Sequence, residues 1–194
     1  MRIGAICLSV VLIMVMGQCD NRPEYFKIEE RELNSGVRFD SLFMGLNIGM
    51  TEKEFYAHCA GLNKENKVGI GANELHLVHE MDELEHPSEW NFYPRFHEEK
   101  IFKVPVNVAY KNWSPWNKEL WSDKLEKDIL TFFEKKYGGD FLEVEDPKRG
   151  TAYVKVQGNR RITVYTKDER YVSVLYVDLP TEKLLDQQKT DTKK

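Results

Sequence analysis

Cysteine is scarce in this chain, and what there is builds no disulfide framework. Cys7, Cys19 and Cys59 are the only three in 194 residues, and no two stand in a Cys-x-x-Cys spacing, which sets aside thioredoxin-type redox chemistry and thiolate zinc clusters. A surplus of positive charge is lacking too. The net charge is -4, and the pairs Lys148-Arg149 and Arg160-Arg161 are separated by strand-like sequence, so no basic stripe offers itself to nucleic acid. Also missing are a Gly-x-Ser-x-Gly elbow, a phosphate-cradling glycine loop and a His-Glu-x-x-His pair. The sequence therefore assigns no catalytic residue, no metal and no cofactor.

One long apolar run is present, at the N-terminus. Met1-Arg2 supplies a short positive region, and Ile3 to Met16 is almost uninterruptedly apolar before Gly17-Gln18-Cys19, the order of a secretion signal. A bilayer span needs about 20 apolar residues, and here Gln18 and then Asp20-Asn21-Arg22-Pro23-Glu24 end the run first. Met16-Gly17-Gln18-Cys19 resembles the lipobox of bacterial lipoproteins, which implies cleavage before Cys19 and acylation of its thiol. Gln18 departs from that pattern, where a small residue is usual. Val15 and Gly17 would alternatively support ordinary cleavage before Gln18 and a soluble periplasmic or secreted product. Cysteine arithmetic favours the lipid: Cys7 leaves with the signal, Cys19 is blocked, and Cys59 remains as a lone thiol in an oxidising compartment where pairs are usual. The expected location is the bacterial cell envelope, at the outer membrane or cell surface, with membrane affinity carried by acyl chains.

Composition divides the chain into a signal peptide (1–18), a charged lipid-anchored tether (19–38), one folded unit (39–179) and a polar tail (180–194) expected to fray. Within the folded unit, Thr51 and Glu54 form a capping box with Met50 placed to staple onto Phe55, and Phe55, Cys59 and Leu62 recur on one helix face. Segments of period two follow around Leu75–Val78, Trp90–Phe96 and Phe102–Tyr110. Pro105 predicts an edge strand or a bulge in the third of these. A second helix is expected from a Ser122 cap, with Leu125, Ile129, Phe132 and Phe133 inward and Gly138-Gly139 as its stop. Ala152, Val154 and Val156 share a strand face, Gly158-Asn159 reads as a type II′ hairpin turn, and Tyr171–Asp178, apolar on both sides, reads as a central strand.

A helix followed by antiparallel strands, twice over, predicts an α+β domain: one antiparallel sheet with two helices on one face and a possible tandem repeat. Gly49-Met50-Thr51-Glu52-Lys53-Glu54-Phe55 resembles the opening of the repeat in the β-lactamase-inhibitor-like fold of small outer-membrane-assembly lipoproteins, although the Gly-x-Pro that often follows that helix is absent. The mature chain also resembles a group of lipoproteins exported by Bacteroides-type bacteria, through Gly49 to Phe55, Trp116-Asn117 and Gly158-Asn159-Arg160-Arg161-Ile162. That likeness implies location and fold and carries no functional residue across.

Three constellations remain as candidate sites. His58 and Cys59 are neighbours, but successive helix residues point about 100° apart, so Cys59 is expected in the core. His76, His79, His86 and His97 with the carboxylates of Glu80–Glu85 outline a conceivable metal cluster, read here instead as a strand and a solvated acidic loop. Tyr110 to Trp121 places three of the four tryptophans (Trp113, Trp116, Trp121) within nine residues, among asparagine and lysine. Flat aromatic faces beside hydrogen-bonding groups suit a sugar ring or an extended peptide, so Tyr110, Trp113, Trp116 and Trp121 are the expected ligand contacts. Sealing of the core by the same rings is the competing reading. The function expected is a non-enzymatic envelope module binding protein or glycan. An envelope hydrolase working through carboxylates, Asp82 and Glu83 among them, is the alternative, and it would need a deep cleft with two facing carboxylates.

Overall fold

The structure is a computed structural model that describes residues 22–71, 77–139, 141–147 and 150–192. The signal region, Cys19, Leu75 and His76 lie outside the described residues. The elements run α1 (Glu24–Asn34), α2 (Glu52–Lys64), β1 (Gly69–Ile70), β2 (Leu77–Met81), β3 (Ser88–Phe92), β4 (Arg95–His97), β5 (Lys100–Tyr110), α3 (Ser122–Tyr137), β6 (Leu142–Asp146), β7 (Gly150–Gln157), β8 (Arg160–Thr166), β9 (Val172–Asp178) and α4 (Leu179–Asp191). The strands form one antiparallel sheet in the order β1-β2-β3-β5-β9-β8-β7-β6, with β4 also paired to β5. The protein is thus α+β. Each half is a helix followed by an antiparallel meander, and the last strands of the halves, β5 and β9, pair at the centre.

Alternation assigns the two faces. Trp90 and Phe92 of β3, Val104, Val106, Val108 and Tyr110 of β5, Ile162 and Val164 of β8, and Val172, Val174 and Tyr176 of β9 share one core with Phe55 and Cys59 of α2 and Leu125, Ile129 and Phe133 of α3. Helix α2 starts as expected: Thr51 Oγ1 accepts the Glu54 N–H at 3.3 Å, and a Glu54 carboxylate oxygen accepts the Thr51 N–H at 2.8 Å. Helix α3 differs at its start. Trp121 occupies the cap position, and Ser122 is the first helical residue, buried, its N–H donating to the Glu169 carbonyl at 3.0 Å instead of its side chain capping the helix. Gly138, at φ +79°, stops it.

Strand β9 is buried at every position and lies centrally, as its two-sided apolar sequence predicts. Strand β5 is not an edge. It pairs with β9 on one side and with β3 and then β4 on the other. Pro105 is tolerated because the ladder on that second side breaks between the Phe92–Val106 pair and the Arg95–Lys103 pair, where β3 gives way to β4, and the register of β4 then shifts by a bulge.

The opposite face also carries helices, so the described residues hold four α-helices rather than two. The segment read as a tether contains α1, whose Tyr25, Ile28 and Leu33 recur on one side and pack with Val144, Val154, Val156 and Leu179. The tail forms α4, capped by Asp178, whose carboxylate accepts the Thr181 N–H at 3.3 Å, with Pro180 in the first turn. Both helices are tied down by the β7–β8 turn. Asn159 Oδ1 accepts the Phe39 N–H at 2.7 Å, its Nδ2 donates to Asp40 Oδ1 at 3.0 Å and Asp178 Oδ1 at 2.8 Å, and the Gly158 N–H donates to Glu32 at 3.1 Å. Gly158 has φ +52° while Asn159 does not enter the left-handed region, the signature of a type II′ turn. A Cβ on Gly158 would overlap the Val37 carbonyl. Arg160, almost wholly buried, donates to the Ser41 carbonyl and to Gln157 and lies over the Tyr137 ring at 4.7 Å.

Candidate functional site

Helices α1 and α4 cover the second face only over β6–β9 and the start of β5, where Lys103 pairs with Glu182 of α4 at 2.9 Å. Over β2, β3 and Asn107 of β5 no helix among the described residues covers the face. There lies a trough of about 950 Å³, with Val78, Glu80, Glu89, Asn91 and Asn107 on its floor and the α2 end, β1, Lys167 and Tyr171 around it. Register explains why these residues meet. Val78 stands opposite Asn91, Asn91 opposite Asn107, Asn107 opposite Ser173, and Ser173 opposite Tyr165, giving one row across the strands. In the neighbouring row Glu80 stands directly opposite Glu89.

The polar groups of the floor differ in their commitments. Glu80 is bridged to Lys111 at 2.7 Å and is largely exposed. The half-buried amides of Asn91 and Asn107 have no hydrogen-bond partner among the described residues. Cross-strand neighbours hold their Cβ atoms about 5 Å apart, so two free donor–acceptor pairs sit side by side.

The aromatic candidates separate. Tyr110 is a core residue, 1% exposed, its hydroxyl donating to Asp128 at 3.0 Å. It does not belong to the exposed surface expected of it. Burial, reinforced by the Asp128 carboxylate, pushes its phenol well above the usual range. Trp113 is half-buried, donates from Nε1 to the Glu169 carbonyl at 3.2 Å and stacks against the Arg170 guanidinium at 5.6 Å. That guanidinium also lies over Tyr171 at 4.9 Å, and the Lys167 ammonium lies 6.0 Å from the same ring. A stack of Trp113, Arg170 and Tyr171 therefore joins the tryptophan segment to the rim of the trough. Trp121 is half-buried beneath Lys118 at 5.4 Å. Trp116 is 91% exposed, held out by successive turns in which the Trp113 N–H bonds the Tyr110 carbonyl and the Asn117 N–H bonds the Ser114 carbonyl.

Cys59 is buried, as its helix position predicts, and burial pushes its thiol up to about 11. His58 turns away from it and bonds the Met44 carbonyl at 2.7 Å. His79 bonds the Lys67 carbonyl at 2.8 Å and His86 packs edge-on against Tyr110, so the histidines diverge. Among the described residues no three His, Cys, Asp or Glu side chains converge as a metal site requires. Asp82 and Glu83 are both exposed. No described helix is long and apolar enough to cross a membrane.

The amide row was missed by sequence reading. Its members lie on three strands and share a surface only through register, whereas the tryptophan cluster was visible because it is contiguous. Comparison with family models, with curated proteins and with solved structures found no match for this chain.

Proposed function

We propose that the chain is a non-enzymatic envelope lipoprotein, anchored by acyl groups on Cys19, whose open sheet face binds protein or glycan. The observation that carries the binding reading is the pair of amides on the floor of the trough, without a hydrogen-bond partner among the described residues, beside the Trp113–Arg170–Tyr171 stack. Free hydrogen-bonding groups next to flat rings are the features that orient a polar ligand. Trp113 acts through the stack at the rim, and Trp116 offers an exposed ring on the same connection. Trp121, beneath Lys118, is a lesser contact. The helix-plus-meander order, twice over, supports reading the fold as β-lactamase-inhibitor-like, and with it a place among envelope assembly modules.

Two experiments test this. Asn107→Tyr fills the trough and should abolish binding to whichever envelope peptides or glycans the wild-type protein retains on arrays, with the melting temperature kept. Unchanged binding would remove the trough from the function. Cys19→Ala should release the protein from membranes and abolish labelling by a fatty-acid probe, and a mature protein starting at unmodified Gln18 would refute the anchor.

A hydrolase is the second reading, favoured by Glu80 facing Glu89. Against it stand the exposure of Glu80 and its commitment to Lys111, since catalytic carboxylate pairs work in sequestered clefts with one member kept protonated. Release of reducing ends by wild type, but not by Glu80→Gln or Glu89→Gln, would establish it.

A further inference from the structure

We propose that the trough takes a neutral oligosaccharide laid across the strands, with hydroxyls on Asn91 and Asn107 and one ring against Tyr171. The proposal rests on the trough being the binding surface and adds the class and direction of its ligand.

Charge points to a neutral ligand. The cations and anions around the trough largely answer one another: Lys67 is bridged to Glu65 at 2.6 Å and Glu80 to Lys111 at 2.7 Å. Among the described lining residues that leaves Glu89 on the floor and Lys167 on the rim, one of each sign, with the nearby Arg170 guanidinium committed to the Trp113 and Tyr171 rings. An acidic ligand meets no surplus of cations here, and a basic one meets no surplus of carboxylates. What the floor offers instead is amide chemistry. Each Asn presents a carbonyl oxygen and an NH₂ group, and a sugar hydroxyl, donor and acceptor at once, can satisfy both.

Spacing points to the direction. The row Val78, Asn91, Asn107 runs perpendicular to the strands, so its members repeat at the strand separation of about 4.8 Å. That is of the order of one pyranose unit in an extended chain. An extended peptide, with side chains alternating to opposite sides, presents like groups to one surface at a longer interval and does not match the adjacent amides. Tyr171, its ring held by Arg170 at 4.9 Å, stands on the rim one row over, just before Val172 opposite Val108, and brings a flat ring beside the amides, the partner that the C–H face of a pyranose takes.

The test uses linear glucose oligomers, N-acetylglucosamine oligomers and an array of neutral glycans against the full mature chain, with mixed-sequence peptides as the second arm. Affinity for at least one glycan series should rise with chain length. Asn91→Ala and Asn107→Ala should each weaken that binding about tenfold, as expected for one or two lost hydrogen bonds. Tyr171→Ala should weaken it at least as much, Tyr171→Phe little, and Gln188→Ala on exposed α4 not at all, with melting temperatures showing each variant folded. Peptide binding lost in the same variants, without glycan binding, would overturn the ligand class and leave the trough as the site. Binding of either ligand that ignores all three positions would overturn both readings, and no binding to any neutral glycan would overturn this one.

Discussion

Asn159→Ala should destabilise the whole domain, because one side chain fastens three segments. Asn159 is 3% exposed. Its Oδ1 accepts the backbone N–H of Phe39, while its Nδ2 serves two carboxylates, Asp40 and the buried Asp178 that caps α4. A neutral hydrogen bond contributes about 1 kcal/mol net and one to a charged group about 1.5–3 kcal/mol. Water reaching the vacated space recovers part of the sum, so the expected loss is about 3–5 kcal/mol. Urea unfolding monitored by circular dichroism gives the magnitude. Limited proteolysis gives the location, since residues 36–41 should become cleavable before the sheet opens. Asn159→Asp places a third carboxylate beside Asp40 and Asp178. Its folded pKa is raised, so the penalty is full at neutral pH and disappears as pH falls below the unfolded value of about 4. A loss under about 1 kcal/mol for Asn159→Ala, or an Asn159→Asp penalty independent of pH, would show that the turn does not hold these segments.

Cys59, with its thiol pushed up to about 11 by burial, should react with iodoacetamide in native protein only as pH approaches that value; rapid labelling at neutral pH would place it on the surface. Trp116→Ala should change stability by less than about 0.5 kcal/mol, whereas Trp113→Ala, which removes the Arg170 stack and a hydrogen bond, should cost about 2 kcal/mol, below the 3–5 of a fully buried ring. Equal losses would place both rings in the core. Burial pushes Tyr25 up to about 12, despite the Arg161 guanidinium beside it, and raises Tyr176 well above the usual range. Raised folded values mean that this stability is complete below about pH 10 and is lost as pH climbs through the folded values. Tyr176→Phe should therefore show a shallower alkaline decline than wild type, and identical profiles would assign the decline elsewhere.

What could be read from the sequence was local or strictly periodic. The Thr51–Glu54 box, the Gly138 stop, the Gly158-Asn159 turn and the two-sided apolar β9 each lie within a few residues, and the chain folds them as the local chemistry dictates. Misreadings arose where a partner distant in sequence decides. Charge made α1 look like a tether, yet Tyr25, Ile28 and Leu33 find Val154 and Val156 across the domain. Pro105 implied an edge or a bulge; β5 is internal, and the irregularity lies in its partner, where β3 gives way to β4 and the register of β4 shifts. Proximity along the chain groups Tyr110 with the tryptophans, although it follows Val104, Val106 and Val108 at a period of two, all of them core residues. Asn91 and Asn107 looked like ordinary polar positions on half-buried strands, and only the register makes them a pair.

The docking of α1 changes how the anchored protein would stand on a membrane. With a tether from Cys19 to Arg38 the domain could roam far above the lipid, but α1 begins at Glu24 and its exit is clamped through Glu32, Phe39 and Asp40 to the β7–β8 turn. From Cys19 to Glu24 the chain can reach at most about 18 Å. An acylated Cys19 would hold the domain almost against the headgroups. A spin label at Arg22 should accordingly lie within reach of lipid-borne relaxation agents, and one on the exposed Trp116 position should report which end of the sheet faces the bilayer. If the Arg22 label behaved as though in bulk solvent while the protein stayed membrane-bound, either the lipid sits elsewhere or α1 undocks on the membrane. Glu32→Ala separates those two outcomes, since it removes the Gly158 contact that holds the end of α1 without touching the anchor.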